Sequence, residues 1–495
     1  MAATATVQAM HLAPVVVAAH ASGPEAWEAA VTAVADCLDR HADLSVVLRL
    51  PGAAIEFLTH TARHALESLD QDRVLWLAGG FSDPLLTRIS PNAVRLQLER
   101  ERTAMDVAGI SPGGLWVDGE WEPALVSVAS DAGHRLVFFS ADVLAEKSTA
   151  PGPIERAGTA VIGIPVFPEA PDVEGDGLVA VIVDSDGLEE FVSRHGPQLA
   201  SVSRFLSEHG PRERLEPRLA VPEPDPSREP FYRKLVLRTA AQGGRSPVQD
   251  ALLRLQSREH LLDPGFADPE VDLLDAAIAL DRALKRGDNW VEVTDIDWDA
   301  DGTDEVHIET VAASLVVDPA EGVLAFWDDK AGRWPITAVH PPVPAVLLRR
   351  LVGEEGAEPE PERLFVQGRG QGRGQAFLSL GSDTGSSVRL ELDGRALSLE
   401  LTVSATELVR MGPEFPLRLR TPRIRVDGGQ WRDATEPLAV SGHRFRLVDD
   451  DHSILISALR PCELFVHPLE SGGLVVWPHW LTDGTGTYHI SMSPA

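Results

Sequence analysis

Hydrophobic residues follow two different rhythms along this chain of 495 residues. In residues 1–208, short apolar runs alternate with longer segments whose apolar positions lie three and four residues apart. The short runs predict buried strands, and the wider spacing predicts amphipathic helices. The predicted strands are 13–19, 45–50, 74–78, 115–117, 136–139, 160–167 and 178–183, and the predicted helices are 24–40, 51–69, 91–108 and 122–132.

Strands that alternate with helices are typical of parallel βα units. Residues 1–208 are therefore predicted to form an α/β barrel, with an open doubly wound sheet as the alternative. In both arrangements, functional residues lie beyond the carboxyl ends of the strands. The next segment, 209–230, is rich in proline and charge and is predicted to be a linker or a wrapping strap.

The pattern changes after this segment. Residues 231–288 have helical spacing, whereas apolar and polar residues alternate at every second position in much of 289–495. That alternation predicts antiparallel strands with one buried face, and we expect a β-sandwich of about twelve to sixteen strands. Within it, residues 353–376 are rich in Gly, Glu and Pro and are predicted to form an exposed loop.

Composition narrows the class of protein. The net charge of -31 argues against nucleic acid and anionic membrane as partners, because both need a basic surface. Two cysteines, Cys37 and Cys462, are too few for a disulfide framework and indicate buried thiols in a reducing compartment. The chain shows no signal-peptide pattern and no apolar run of about 18 residues, so we expect a cytoplasmic protein.

Candidate chemistry is concentrated after the predicted strand 115–117. Asp118 and Glu120 lie there between two indoles, Trp116 and Trp121. Carboxylates beside flat apolar rings are what a sugar site needs, because the acids act on the glycosidic bond and the rings pack on pyranose faces. The alternative is a polar loop whose tryptophans anchor the core.

Two further strand ends are acidic. Asp83 follows the third predicted strand and is a candidate for binding a sugar hydroxyl, while Asp184 and Asp186 follow the last strand. A retaining glycosidase needs two carboxyl groups about 5–5.5 Å apart. The candidate catalytic pairs therefore join Asp118 or Glu120 with Asp184 or Asp186.

An acidic loop at the start of the sandwich is a candidate metal site. Alternating Asp residues followed by Gly302 are typical of loops that direct carboxylates at Ca²⁺. The match to an EF-hand is partial, because Ile308 stands where the bidentate Glu belongs. A solvated acidic turn is the alternative. The candidate ligands are Asp295, Asp297, Asp299, Asp301 and Asp304.

The order of these segments, and the stretch VTDIDWDADGTDEVHIET at 293–310, resemble glycoside hydrolase family 57, which contains α-amylases and 4-α-glucanotransferases. The resemblance covers most of the chain. It implies an incomplete (β/α)₇ barrel, a short helical segment and a C-terminal β-sandwich. It also implies action on α-glucans by a retaining mechanism that uses no cofactor.

Individual motifs of the family match to different extents. The resemblance implies substrate contacts by His20 and by Phe81, which lies in the well-matched segment Gly79-Gly80-Phe81-Ser82-Asp83-Pro84. The nucleophile segment is one residue shorter than the family pattern, so Asp118 or Gly119 occupies the position of the nucleophilic Glu. Ser185 occupies the position of the acid/base Asp.

Three hypotheses about function follow. The first is a divergent protein of α-glucan metabolism that lacks the standard retaining activity and keeps a carbohydrate-binding or regulatory role. The second is an active α-amylase or 4-α-glucanotransferase with relocated carboxylates. The third is a protein-interaction or scaffold module that uses the sandwich and residues 353–376. The sequence leaves the oligomeric state open.

Overall fold

The computed structural model has two compact units. One comprises Met1–Asp225 with Gln249–Phe266, and the other comprises Pro226–Val248 with Ala267–Ala495. The structure describes residues 10–18, 23–89, 91–117, 119–144, 148–171, 177–211, 214–222, 228–240, 247–262, 269–284, 287–299, 301–338, 343, 345–352, 360–469 and 473–495.

Seven parallel strands of the first unit close into a barrel. Each of these strands has two parallel neighbours. The ring is closed by the parallel pairing of residues 136–140 with residues 162–166. The family resemblance implied this number of strands, and the α/β barrel prediction is confirmed. The open sheet is wrong, because the ring leaves no free edge. The strands are β1 (His11–Val17), β2 (Val46–Arg49), β3 (Val74–Ala78), β4 (Gly114–Val117), β5 (Leu136–Ser140), β7 (Thr159–Phe167) and β8 (Leu178–Ile182), and β6 (Gly152–Arg156) adds antiparallel to β7.

Alternate strand residues point to the two sides of the barrel wall. Val15 and Ala180 belong to the interior cluster, whereas their neighbours Val16 and Val181 pack against the outer helices. Because both sides are covered, the strands read as continuous apolar runs. The helices of this region are α1 (Gly23–Arg40), α2 (Gly52–Thr61), α3 (Arg63–Glu67), α4 (Pro91–Ala108), α5 (Leu125–Asp131), α6 (Leu188–His195) and α7 (Val202–His209).

The amino-terminal end of the barrel is closed by α7. Phe205 on this helix joins the interior cluster, and the backbone N–H of Ala200 donates to Leu12 O at 2.9 Å. The carboxyl ends of the strands are therefore the end at which a ligand is expected. We call this end the barrel mouth.

Residues 214–222, within the Pro-rich segment, lie along the barrel. The N–H of Leu215 donates to Pro153 O at 3.0 Å, and the N–H of Arg218 donates to Val143 O at 2.7 Å. Ala220 exchanges backbone hydrogen bonds with Trp121. These hydrogen bonds hold residues 215–220 against the barrel.

The helical segment is divided between the two units. Helices α9 (Pro247–Leu255) and α10 (Arg258–Leu262) group with the barrel, whereas α8 (Glu229–Ala240) and α11 (Glu270–Ala283) group with the β-rich unit. None of the helices in the described part of the chain is long and apolar enough to cross a bilayer.

Two antiparallel sheets in the second unit enclose one apolar core. The first contains β9–β15, β20 and β25, and the second contains β16–β19, β21–β24 and β26; pairing between β24 and β25 joins them. The predicted antiparallel region is confirmed. Its strands are β9 (Val291–Ile296), β10 (Glu305–Thr310), β11 (Ala313–Asp318), β12 (Val323–Asp329), β13 (Trp334–Pro335), β14 (Ala345–Val352), β15 (Glu360–Pro361), β16 (Phe365–Gln371), β17 (Gln375–Gly381), β18 (Ser387–Asp393), β19 (Ala396–Ser404), β20 (Val409–Leu417), β21 (Arg423–Val426), β22 (Trp431–Asp433), β23 (Leu438–Val448), β24 (Ser453–Leu469), β25 (Gly473–Thr482) and β26 (Thr485–Pro494).

The predicted loop 353–376 is wrong for its second half. Residues 353–359 lie outside the described residues, but Phe365–Gln371 forms β16 and pairs antiparallel with β17. Most side chains of β16 are exposed, so the strand has no buried face. An alternating apolar pattern is therefore absent from a segment that is nevertheless a strand.

Candidate functional site

The centre of the β2–β3 side of the mouth is Arg49, the last residue of β2. Its guanidinium is only 1% exposed and pairs with Glu101 of α4 at 3.0 Å and with Asp83 at 3.2 Å. The second carboxylate oxygen of Glu101 accepts from the backbone N–H groups of Gly79 and Gly80 at 2.9 and 2.7 Å. Opposite charges and backbone donors thus compensate one another in a buried cluster.

The two glycines after β3 make this cluster possible. A Cβ at Gly79 would lie 2.6 Å from Nε of Arg49, and Gly80 has φ of +105°. A side chain at the first position would displace the guanidinium, and one at the second would strain the backbone. The loop 79–84 is therefore shaped around Arg49. Asp83, predicted to bind a sugar hydroxyl, has its carboxylate held by that arginine instead.

Phe81 has no ring face available to a sugar. The residue is fully buried and packs with Ala53 and Leu253. The guanidinium of Arg100 lies 4.4 Å from its ring centroid and that of Arg254 lies 5.4 Å away. These contacts place Phe81 in the core rather than on a surface that a sugar could reach.

Glu120, after β4, is bound to the neighbouring loop. Its carboxylate accepts from the N–H of Leu86 at 2.8 Å, from the N–H of Thr87 at 3.0 Å and from the hydroxyl of Thr87. The residue is 2% exposed. Burial raises the pKa of Glu120, while the Thr87 and Leu86 donors and the positive charge of Arg258 act in the opposite direction. These contacts fix the loop that follows β3.

The two tryptophans near Glu120 are also buried. Trp116 faces the barrel interior with Phe138, and Trp121 lies on the outer side, 5.3 Å from the ring of Phe139. Neither indole presents an open face in this structure. Both positions match the core-anchor interpretation, and neither adds a ring to the mouth.

The end of β8 is different, because its carboxylates are exposed. Ile182 packs with the barrel interior and Val183 packs outside it, and Asp184 follows with an extended backbone (φ −62°, ψ 144°) at the carboxyl end of the strand. Asp184 and Asp186 are exposed, and Ser185 between them is partly buried. This turn presents acidic groups to solvent at the mouth.

Two predicted site residues, His20 and Asp118, lie outside the described residues. Next to Asp118, Gly119 is exposed with φ of +67°, and nothing lies within 4 Å of where its Cβ would be. Strands β4 and β8 stand on opposite sides of the seven-stranded ring, as a pair of catalytic carboxylates would require. Glu120 does not face β8, because its carboxylate is directed at Leu86 and Thr87.

The acidic loop brings together only some of its predicted ligands. Carboxylate oxygens of Asp297, Asp299 and Glu305 lie within 4.8 Å of one another. Asp295 is instead held by the guanidinium of Arg369. Glu305 was not among the predicted ligands. It is buried, and this burial together with the negative charge of Asp299 raises the pKa of Glu305 to about 7.

Ca²⁺ at this loop stays a prediction. The carboxylate of Asp301 accepts from the N–H of Thr303 at 2.6 Å, and Asp304 is exposed. Three converging carboxylates are a partial set for an ion that takes six to eight oxygen ligands.

A groove of about 490 Å³ lies on the outer face of the second sheet of the sandwich. Its floor is formed by serines of neighbouring strands, including Ser398 and Ser491, which are cross-strand partners. Polar and charged side chains border it, including His489, whose Nδ1 lies 3.4 Å from a carboxylate oxygen of Glu400. Hydroxyl and charged groups in a shallow groove are suited to a polar ligand.

The closed barrel and the antiparallel sandwich define a class of fold: a (β/α)₇ barrel followed by a C-terminal β-sandwich. The chain matches no protein-family model and no curated protein. The structure of 4-alpha-glucanotransferase from Thermococcus litoralis is similar over 98% of this chain and 100% of that one, with a TM-score of 0.71 and 12% identity.

Two further solved structures are less similar. A glycosyl hydrolase family 38 protein from Enterococcus faecalis covers 99% of this chain and 86% of its own at 10% identity and a TM-score of 0.42. The α-amylase AmyC from Thermotoga maritima covers 56% and 94% at 9% identity, also with a TM-score of 0.42. At these identities the comparisons show the fold alone, and the fold expected from the family 57 resemblance is confirmed.

Proposed function

We propose that the barrel mouth binds α-glucan and that the chain does not carry out the standard retaining hydrolysis or transfer. The fold supports the first part, because the similar structure from Thermococcus litoralis is that of a 4-alpha-glucanotransferase. The surroundings of Glu120 support the second part, and they are the observation on which the proposal depends.

A retaining mechanism needs a carboxylate that is free to attack the anomeric carbon. Glu120 is the only glutamate between β4 and Trp121, and all three of its described donors hold it in the loop after β3. Freeing its carboxylate would leave the buried N–H of Leu86 and the partly buried N–H of Thr87 without this acceptor. Each such loss costs about 1–3 kcal/mol.

The second catalytic position is also altered. Counted on the family pattern, Ser185 occupies the place of the acid/base carboxyl group. A serine hydroxyl cannot protonate a leaving group as a carboxylic acid does, and loss of general acid catalysis typically lowers the rate about 10²–10⁴-fold. Binding does not require this proton transfer, so glucan affinity is compatible with the substitution.

An active enzyme is the second candidate, and the exposed position of Asp184 favours it. If Asp118 faces Asp184 across the ring, these two carboxyl groups replace the standard pair. Their oxygens must then come within about 5–5.5 Å. The two candidates predict different results in an activity assay. Only the active enzyme forms products, and product formation would require both Asp118 and Asp184.

The test measures maltooligosaccharide binding by calorimetry and product formation by chromatography on the same preparation. We expect binding without redistribution or new reducing ends, and weaker binding in Asp184→Asn. Asp72→Asn is the matched control, because Asp72 is an exposed aspartate just before β3, at the opposite end of the barrel. Absence of binding would refute the glucan role, and products that disappear in Asp184→Asn would establish the active enzyme.

A variant of the sandwich groove locates the binding. Glu400→Gln removes a charge from that groove and leaves the barrel unchanged. If it weakens binding while Asp184→Asn does not, the glucan binds the sandwich and the assignment to the mouth is wrong.

A further inference from the structure

A cluster of one thiol, one imidazole and one carboxylate lies on the outside of the barrel, between α1 and α6. Cys37 is in the last turn of α1, and His41 directly follows the helix, with its backbone N–H donating to Cys37 O at 3.1 Å. Glu189 is in the first turn of α6. Their ligand atoms all lie within 4.8 Å of one another. Nε2 of His41 and one carboxylate oxygen of Glu189 are 3.0 Å apart.

Helix geometry explains why the first two side chains converge. Residues four apart lie on the same face of a helix, so they present two ligands to one point. Metal-binding helices with two histidines at this spacing use the same geometry. Glu189 then reaches the same point from a second helix, which gives three ligands from two elements.

We propose that Cys37, His41 and Glu189 form a binding site for a divalent metal ion of borderline softness, such as Zn²⁺. Thiolate, imidazole and carboxylate are the three ligand types that Zn²⁺ accepts in proteins. Ligand atoms on one tetrahedral zinc ion are about 3.4–3.6 Å apart, as follows from its bond lengths. The observed upper bound of 4.8 Å exceeds these separations by about 1.2–1.4 Å, so small side-chain movements would bring the three ligands onto one ion.

The burial of the three residues favours an open fourth position. Cys37 is buried, whereas the side chains of His41 and Glu189 are about one-third exposed, at 33% and 39%. The buried sulfur would therefore bind the ion from the protein side, and a water molecule could bind it from the solvent side. Arg40 contacts the other carboxylate oxygen of Glu189 at 3.1 Å and holds that carboxylate in place.

Nucleophilic catalysis by the same trio is not supported. A reactive cysteine needs an accessible sulfur and a lowered pKa. Burial and the neighbouring Glu189 raise the pKa of Cys37 to about 11, so the free thiol stays protonated at neutral pH. A bound metal ion displaces that proton on binding.

The proposed site has a structural consequence near the mouth. The turn that carries Asp184 and Asp186 leads directly into α6. An ion held by both helices would tie the start of α6 to the end of α1. The site would thus hold the β8–α6 turn in position without touching any ligand in the mouth, and it is independent of the proposed glucan binding.

The test uses Co²⁺ alone as a spectroscopic probe on the reduced, full-length protein. We expect binding of one equivalent with a near-ultraviolet thiolate-to-cobalt band and visible bands of tetrahedral cobalt, all displaced by Zn²⁺. Cys37→Ser should abolish the thiolate band. Cys462→Ser, which changes the other buried cysteine in the second unit, should leave it unchanged.

Two further pairs of variants keep the test decisive if Cys37→Ser does not fold. His41→Gln and Glu189→Gln each remove a proposed ligand and should weaken Co²⁺ binding. Loss of a residue that only orients a metal ligand typically lowers metal affinity about 10–100-fold, so loss of a ligand itself should lower it by at least that factor. His64→Gln, on α3, and Glu190→Gln, beside Glu189, should not. Failure of the wild-type protein to give a thiolate band would overturn the proposal, as would a band that survives Cys37→Ser or that the control variants remove.

Discussion

The two sides of the barrel mouth use carboxylates in opposite ways. On the β2–β4 side, Glu101 and Glu120 are buried and fully engaged by arginine, backbone N–H groups or a hydroxyl. On the β8 side, Asp184 and Asp186 are exposed. An acidic residue at a strand end is therefore a candidate for chemistry only when its surroundings leave the carboxylate available.

The buried side should therefore carry stability, and the exposed side should carry ligand contact. Substitutions that unfold the protein belong to the first side, and substitutions that change binding without changing stability belong to the second.

Arg49→Met is expected to have the largest effect. Removing the guanidinium leaves the buried carboxylates of Glu101 and Asp83 without their positive partner, and breaking a buried ion pair costs about 3–5 kcal/mol. Denaturant unfolding measures the loss. The control is Arg63→Met, whose exposed pair with Glu67 is worth less than about 1 kcal/mol. Equal losses for both variants would show that the cluster is not a stabilising centre.

The pH dependence of unfolding should depend on His134, which is buried between α5 and β5. Burial, together with the charge of Arg102, lowers its pKa to about 4. The unfolded chain takes up the proton near pH 6.5, so stability falls as the pH decreases from about 6.5 to about 4. The loss is up to about 3 kcal/mol, since one pKa unit corresponds to about 1.4 kcal/mol.

His134→Gln should reduce this slope, whereas the exposed His64→Gln should retain it. Unfolding curves at several pH values between 4 and 7 make the comparison. An unchanged slope in His134→Gln would assign the acid sensitivity to other groups.

Glu120→Ala is expected to cost about 2 kcal/mol, because the buried N–H of Leu86 and the partly buried N–H of Thr87 lose their acceptor while the cost of burying the acid is also removed. Glu122→Ala, two residues further on, serves as the control. A Glu120→Ala protein that keeps its stability but loses glucan binding would place Glu120 in the ligand site.

Asp184→Asn should change the free energy of unfolding by less than about 0.5 kcal/mol, because the residue is exposed. Its effect should be seen in the affinity for maltooligosaccharide. A large loss of stability in this variant would remove the contrast between the two sides of the mouth.

The sequence predicted the elements better than their contacts. Each barrel strand is a short run of apolar residues, so the length and spacing of the apolar positions were enough to predict where the strand lies. The break between α2 and α3 at Ala62, where the backbone leaves the helical region, had no signal in the apolar spacing. Strand β16 was missed because it has no buried face and therefore no alternation.

The candidate site shows the same limit. Arg49 was not selected, although a charged residue ending an otherwise apolar strand was a usable signal. Its partner Glu101 is 52 residues away on α4, and no local pattern joins them. The direction of the Glu120 carboxylate depends on Leu86 and Thr87, which only the folded chain brings near.

If the mouth binds glucan as proposed, it does so without forming a covalent glycosyl intermediate. The most direct test is mass spectrometry of the intact protein after incubation with 5-fluoro-α-maltosyl fluoride, a substrate type that traps the intermediate of retaining enzymes. It should be present at a concentration that displaces bound maltooligosaccharide. We predict an unchanged protein mass. A mass increase of one fluoromaltosyl group, mapped to Asp118, Glu120 or Asp184, would contradict the account.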